Sequence, residues 1–102
     1  GVFVDAAEAL VNAVIPAPRA ADRDRALDLA QRKLAAFGIT AVADMGSTIE
    51  DWQAFRRAGD AGRLNIRIMA YGAGIEQTEL IGGSGPTPWL YDDRLRLNGV
   101  KL

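Results

Sequence analysis

Gly38-Ile39-Thr40-Ala41-Val42-Ala43-Asp44-Met45-Gly46 is a short run of small and largely apolar residues that ends on a carboxylate and a glycine. It reads as a buried parallel strand. Helical patterns lie before and after it, and strands alternating with helices predict βαβ units and a parallel sheet covered on both faces. Reacting groups in such folds collect just past the carboxyl ends of strands, which makes Asp44 the candidate functional residue. The competing reading gives this carboxylate a structural task only, binding the turn or the amides of the following helix.

Upstream, residues 5–14 carry Ala6, Ala9, Leu10 and Ala13 at helical spacing, with Asp5 placed to cap the amino end and Ile15-Pro16-Ala17-Pro18 to stop the helix. A second helix is predicted over 20–37. Leu27, Ala30, Leu34 and Phe37 form its apolar stripe, Arg23, Asp24, Asp28, Gln31 and Arg32 face water, and Gly38 closes it with positive φ. Downstream, Ser47 and Glu50 stand in the spacing of a capping box, so a helix should begin at Thr48 with Ile49, Trp52, Phe55 and Ala58 or Gly59 on its apolar side. Gly59 and Gly62 end it.

Asn65 to Tyr71 reads as a second strand, with Ile66, Ile68 and Ala70 on one face and Arg67, Met69 and Tyr71 on the other. Arg67 is expected to snorkel or to pair with a carboxylate, since an unpaired buried charge is too costly. Gly72-Ala73-Gly74 lacks the spacing of a phosphate loop. Ile75 to Ile81 predicts a short helix, and residues 82–88 an irregular loop. Trp89-Leu90-Tyr91 is either a lid over substrate-facing surface or a plug that buries the loop. Asp92-Asp93 marks a turn, and Asn98-Gly99-Val100-Lys101-Leu102 opens a third parallel strand.

The chain has 102 residues, enough for one domain over 1–102 with no internal boundary. A net charge of −1 without a basic patch argues against nucleic acid as a partner. No apolar run approaches the roughly 20 residues that cross a bilayer, and Gly1 to Asp5 lacks the basic start of a signal peptide, so no membrane partner and a cytoplasmic location are expected. Cysteine is absent, which removes disulfides and thiolate ligands. Histidine is absent too, and with it the commonest metal ligand and the usual acid–base group near neutral pH.

Residues 1–16 (GVFVDAAEALVNAVIP), the G-I-T-A-V-A-D-M-G strand, Ala58 to Ile68 (AGDAGRLNIRI) and residues 89–102 (WLYDDRLRLNGVKL) together resemble consecutive segments of the amidohydrolase superfamily, in its amidohydrolase-3 or YtcJ-like branch. The resemblance covers nearly the whole chain. It implies an α/β fold, a partial TIM-like (β/α) barrel of about three parallel strands with intervening helices. It also implies hydrolysis of an amide-type substrate, a small molecule, by water activated on a divalent metal, zinc being the expectation. Lys101 matches the family's metal-bridging lysine, carboxylated on its amine in the intact parent. Asp44 matches an acidic residue taken as lining the site.

The family's His-x-His ligands, later histidines and catalytic aspartate have no counterpart here, so the catalytic residues are unknown and no metal is expected in this chain alone. A complete barrel takes about 250 residues. An inactive internal portion is therefore expected, one that self-associates through its unpartnered sheet. The alternative is a self-standing α/β ligand-binding or interaction module, since fold alone does not give function.

Overall fold

The computed structural model describes residues 6–102, so the expected cap at Asp5 lies outside the described residues. In chain order the elements are α1 (Ala6–Asn12), α2 (Ala20–Ala36), β1 (Ala41–Ser47), α3 (Ile49–Asp60), β2 (Arg67–Ala73), α4 (Gly74–Gly82) and β3 (Leu95–Lys101). The sheet has the order β1-β2-β3 and both pairs are parallel. The mixed α/β class and the three parallel strands expected from the sequence are present.

Two βαβ units that step in the same direction across a sheet, with the same hand of crossover, put their helices on the same face. The strands record this in their burial. Ile68 and Ala70 of β2 and Leu95 and Leu97 of β3 are buried among Trp52, Ala58, Leu64 and Ile66, while Val42, Leu27, Leu34, Phe55 and Ile81 pack around them. On the opposite face Ala41, Ala43 and Met45 are exposed, as is Arg67, and Met69 and Tyr71 are half-buried. The expectation of a sheet covered on both faces is thus corrected: the helices cover one. No helix among the described residues is long and apolar enough to cross a membrane.

Gly38 ends α2 as its spacing predicts. With φ of +76° it lets its own N–H reach Ala35 O (2.9 Å) and the Ile39 N–H reach Leu34 O (2.9 Å), two bonds that satisfy the last carbonyls of the helix. The face of α2 read as solvated is instead its docking face. Arg23 meets Asp51 (2.5 Å), Asp24 meets Arg57 (2.8 Å) and Asp28 meets Arg63 (2.7 Å). Gln31, only 3 % exposed, lies along the same row. Its Nε2 donates to Arg63 O (3.1 Å) and its Oε1 accepts from Asn65 N (2.6 Å), completing two backbone groups at the turn into β2. Leu27 and Leu34 still reach the core, but Phe37 is 74 % exposed. In α1, Leu10 is likewise exposed.

The capping box of α3 sits one residue later than its expected place. Thr48 is the N-cap and Asp51 is N3, with Asp51 N donating to Thr48 Oγ1 (3.2 Å) and Thr48 N donating to Asp51 Oδ2 (3.0 Å). Glu50 is displaced because Asp51 both caps α3 and receives Arg23 from α2. At the other end α3 runs through Gly59 to Asp60. Gly59 does not stop the helix; a Cβ there would collide with the ring of Tyr91.

Of the two readings of Trp89-Leu90-Tyr91, the plug describes Leu90 and Tyr91. Leu90 and Tyr91 pack against the core, and the Tyr91 hydroxyl accepts from Arg56 Nε (2.6 Å) and donates to Asp60 Oδ1 (2.7 Å). Burial and that acidic neighbour push the Tyr91 phenol above its ordinary pKa. Trp89 stays on the surface, within 5.7 Å of the Arg67 guanidinium. Of its two expected outcomes Arg67 takes the solvent-facing one: it is exposed, beside an indole, with Nε on the Asp93 carbonyl (2.8 Å) and not on a carboxylate.

Two outcomes follow for stability. Replacing Gln31 with Ala leaves two part-buried backbone groups unmatched and should cost about 1–3 kcal/mol in urea unfolding. Asp24, held below the ordinary carboxylate value of 3.8 chiefly by its hydrogen bond from Arg57, contributes stability that is complete above that value and is lost as the pH falls below it. Asp24→Asn should therefore flatten the decline in unfolding free energy over that acid range.

Candidate functional site

Asp44 was expected at the carboxyl end of its strand, but β1 continues to Ser47 and Asp44 lies in its middle, beside Ala70 of β2. The extension depends on Gly46. At φ +122° this residue is skipped in the register, where Met45 faces Tyr71 and Ser47 faces Gly72. Strict alternation would put residues 44 and 47 on opposite faces; one extra residue in the strand brings them to the same one. Ser47 is fully buried and its Oγ donates to Asp44 Oδ2 at 2.5 Å.

That face is the one covered by helices. Asp44 borders a cleft of about 640 Å³ between α2 and α3, walled by Leu27, Ala30 and Phe55 and rimmed by Arg23 and Asp51. The Ser47–Asp44 pair has the composition of a nucleophile and its base, but a hydroxyl with no exposed surface cannot reach a substrate. What the bond does is fix the carboxylate's orientation at the cleft. Ser47 escaped the sequence reading because its spacing to Glu50 fitted a cap; the signal was Gly46, a glycine inside an otherwise extended run.

Lys101 ends β3 opposite Ala73. A bulge at Asn98, where Ala70 pairs with Leu97 and Tyr71 with Gly99, sets the facing of the last residues. Alternation from Tyr71 puts Ala73, and Lys101 beside it, on the face away from the helices. The side chain is exposed, and its Nζ lies 3.3 Å from Leu102 O. Asp44 and Lys101 therefore stand on the two outer strands and on opposite faces, and the structure does not bring them together.

Among the described residues no group of three His, Cys, Asp or Glu side chains is placed to hold a metal ion. Compared with protein-family models, with curated proteins and with solved structures, the chain matches none.

A carboxylated lysine is a carbamate that persists when metal ions bridge its oxygens, and among the described residues no group of three His, Cys, Asp or Glu side chains stands ready to hold them. Intact-mass analysis of the isolated chain should find Lys101 unmodified. An added carboxyl group at this residue would show that metal ligands exist here after all.

Proposed function

We propose that the chain is an internal portion of a metal-dependent amidohydrolase and forms three strands of the parent's TIM-like barrel. The observation that carries this reading is the one-sided sheet: parallel neighbours in sequential order, helices on one face only, and Lys101 at the carboxyl end of β3 on the bare face. In a (β/α) barrel the bare face is the inner wall, and the carboxyl ends of the strands form the mouth where chemistry takes place. Resemblance of the four segments supplies the activity, hydrolysis of an amide-type bond in a small molecule. Asp44, on the helix side, is outside this mouth.

The described residues bring together no group of three His, Cys, Asp or Glu side chains, and a catalytic site usually needs about three protein ligands with an open position. The divalent metal, zinc by expectation, would depend on residues elsewhere in the parent. In the chain itself the β1 side of the bare face is apolar and unpartnered among the described residues, with Ala41, Ala43 and Met45 exposed, and the outer edge of β1 has no strand beside it among them. Exposed apolar area is worth about 25 cal/mol per Å² when buried again, so self-association through this face or edge is part of the proposal.

The alternative, a self-standing α/β ligand-binding or interaction module, draws on one feature: α2, α3 and the sheet already close a core around Leu95 and Leu97.

Coding sequence on either side of the chain tests the enzyme reading. A His-x-His pair upstream and Asp-Gly after Leu102 are expected, and their absence would overturn it. The isolated chain with zinc should hydrolyse no amide or ester and bind the ion no better than about millimolar; a tight stoichiometric complex in calorimetry would contradict the proposal. Light scattering at micromolar concentration should report more than one chain per particle, whereas a cooperatively folding monomer favours the module.

A further inference from the structure

Six of the ten arginines are ion-paired with aspartates: Arg19, Arg23, Arg25, Arg57, Arg63 and Arg94. Arg67 and Arg96 are not among them, although they project from adjacent strands on the bare face, Arg96 opposite Met69 and Arg67 two residues before it. Both guanidinium carbons lie 5.7 Å from the centroid of the same Trp89 ring. Each arginine spends its Nε on a backbone carbonyl, Arg67 on Asp93 (2.8 Å) and Arg96 on Thr87 (3.2 Å). Among the described residues no hydrogen bond engages the terminal nitrogens of either.

Two like charges held against one indole repel each other, and stacking on the ring offsets this only in part. The carbonyl bonds also remove much of the rotamer freedom that binding would otherwise cost. The result is two oriented forks with open donors. Among the described residues no carboxylate lies within ion-pair distance of either, the nearby Asp92 standing 3.8 Å from Arg94 instead. Beside Arg67, a hollow of about 190 Å³ bordered by Thr40, Asn65, Asp92 and Arg94 opens at the amino ends of the strands.

We propose that Arg67, Arg96 and Trp89 form a binding site for a dianionic tetrahedral oxyanion, a phosphate or phosphate monoester. A carboxylate fills one guanidinium fork, while a phosphate carries about −1.5 to −2 charges and three oxygens and so answers two. The site lies at the amino ends of the strands, at the opposite end of the sheet from Lys101.

The test is a titration of the full chain with inorganic phosphate, phenyl phosphate, acetate and chloride at matched ionic strength, followed by nuclear magnetic resonance of the arginine Nε–H and indole N–H groups. Phosphate should move the Trp89, Arg67 and Arg96 signals along one saturable curve and leave the buried Trp52 indole in place, with acetate and chloride having little effect. Phenyl phosphate binding equally well would point to an ester ligand, and its exclusion to the free ion; both support the site. Arg67→Lys and Arg96→Lys keep the charge but lose the fork, and each should weaken phosphate binding about tenfold, while Arg32→Gln on α2 should not. Identical shifts with all four anions, or lysine variants that bind as well as the parent chain while Trp52 reports an intact core, would overturn the proposal.

Discussion

The shared hand of the βαβ crossovers is the constraint on which the rest of this structure depends. Stepping β1 to β2 to β3 in one direction with one hand leaves no choice about where α3 and α4 go. Once both lie on one side, the strand residues divide into two unlike sets. Ile68, Ala70, Leu95 and Leu97 become the centre of the core, and Ala41, Ala43, Met45 and Arg67 face outward. A parallel sheet is ordinarily buried on both sides. Here the helices among the described residues cover one side and leave the other bare.

Strand alternation was legible because a period of two in Ile66 to Tyr71 survives any shift of the ends by a residue or two. The docking of α2 was not. A helix that buries Leu27 and Leu34 would normally show an uninterrupted apolar stripe, and its charged residues would be read as solvated. In this protein the contact with α3 is itself largely charged. Its partners, Asp51, Arg57 and Arg63, lie 28 to 35 residues away in sequence, so no local pattern could reveal that Arg23, Asp24 and Asp28 have mates. Each pair is partly exposed and contributes little by itself. Gln31 anchors the row because its amide replaces water for two backbone groups that the turn at Arg63 to Asn65 leaves open.

The candidate residues show the same division. Lys101 was singled out by the family resemblance and expected in the opening residues of a third strand; it stands instead at that strand's last position, because β3 begins at Leu95. Asp44 was expected at its strand's carboxyl end from the alternation of strands and helices and is not there, because one glycine at position 46 adds a bulge that the apolar run conceals. The bulge lengthens β1 past the carboxylate and turns it and Ser47 toward the helices together. A catalytic position inferred from spacing is thus sensitive to a single inserted residue, while a topology inferred from alternating elements tolerates it.

The segment from Gly83 to Arg94 connects these surfaces. It leaves α4 beside the middle of β3 and runs toward that strand's amino end, with Thr87 N donating to Leu97 O (3.2 Å) and Leu90 N to Leu95 O (2.8 Å), so that the first half of this outer edge is occupied. It then reverses through Tyr91, Asp92 and Asp93 at φ of 55°, 58° and 63°. Left-handed backbone costs about 1–2 kcal/mol per non-glycine residue, and aspartate tolerates it better than tyrosine. Tyr91 is held there by its ring against Gly59 and its hydroxyl between Arg56 and Asp60. Those contacts fix the reversal from behind, and the reversal sets the Asp93 carbonyl on Arg67 and Trp89 over both unpaired arginines. A glycine in the last turn of α3 thereby governs the arrangement of cations on the far side of the sheet.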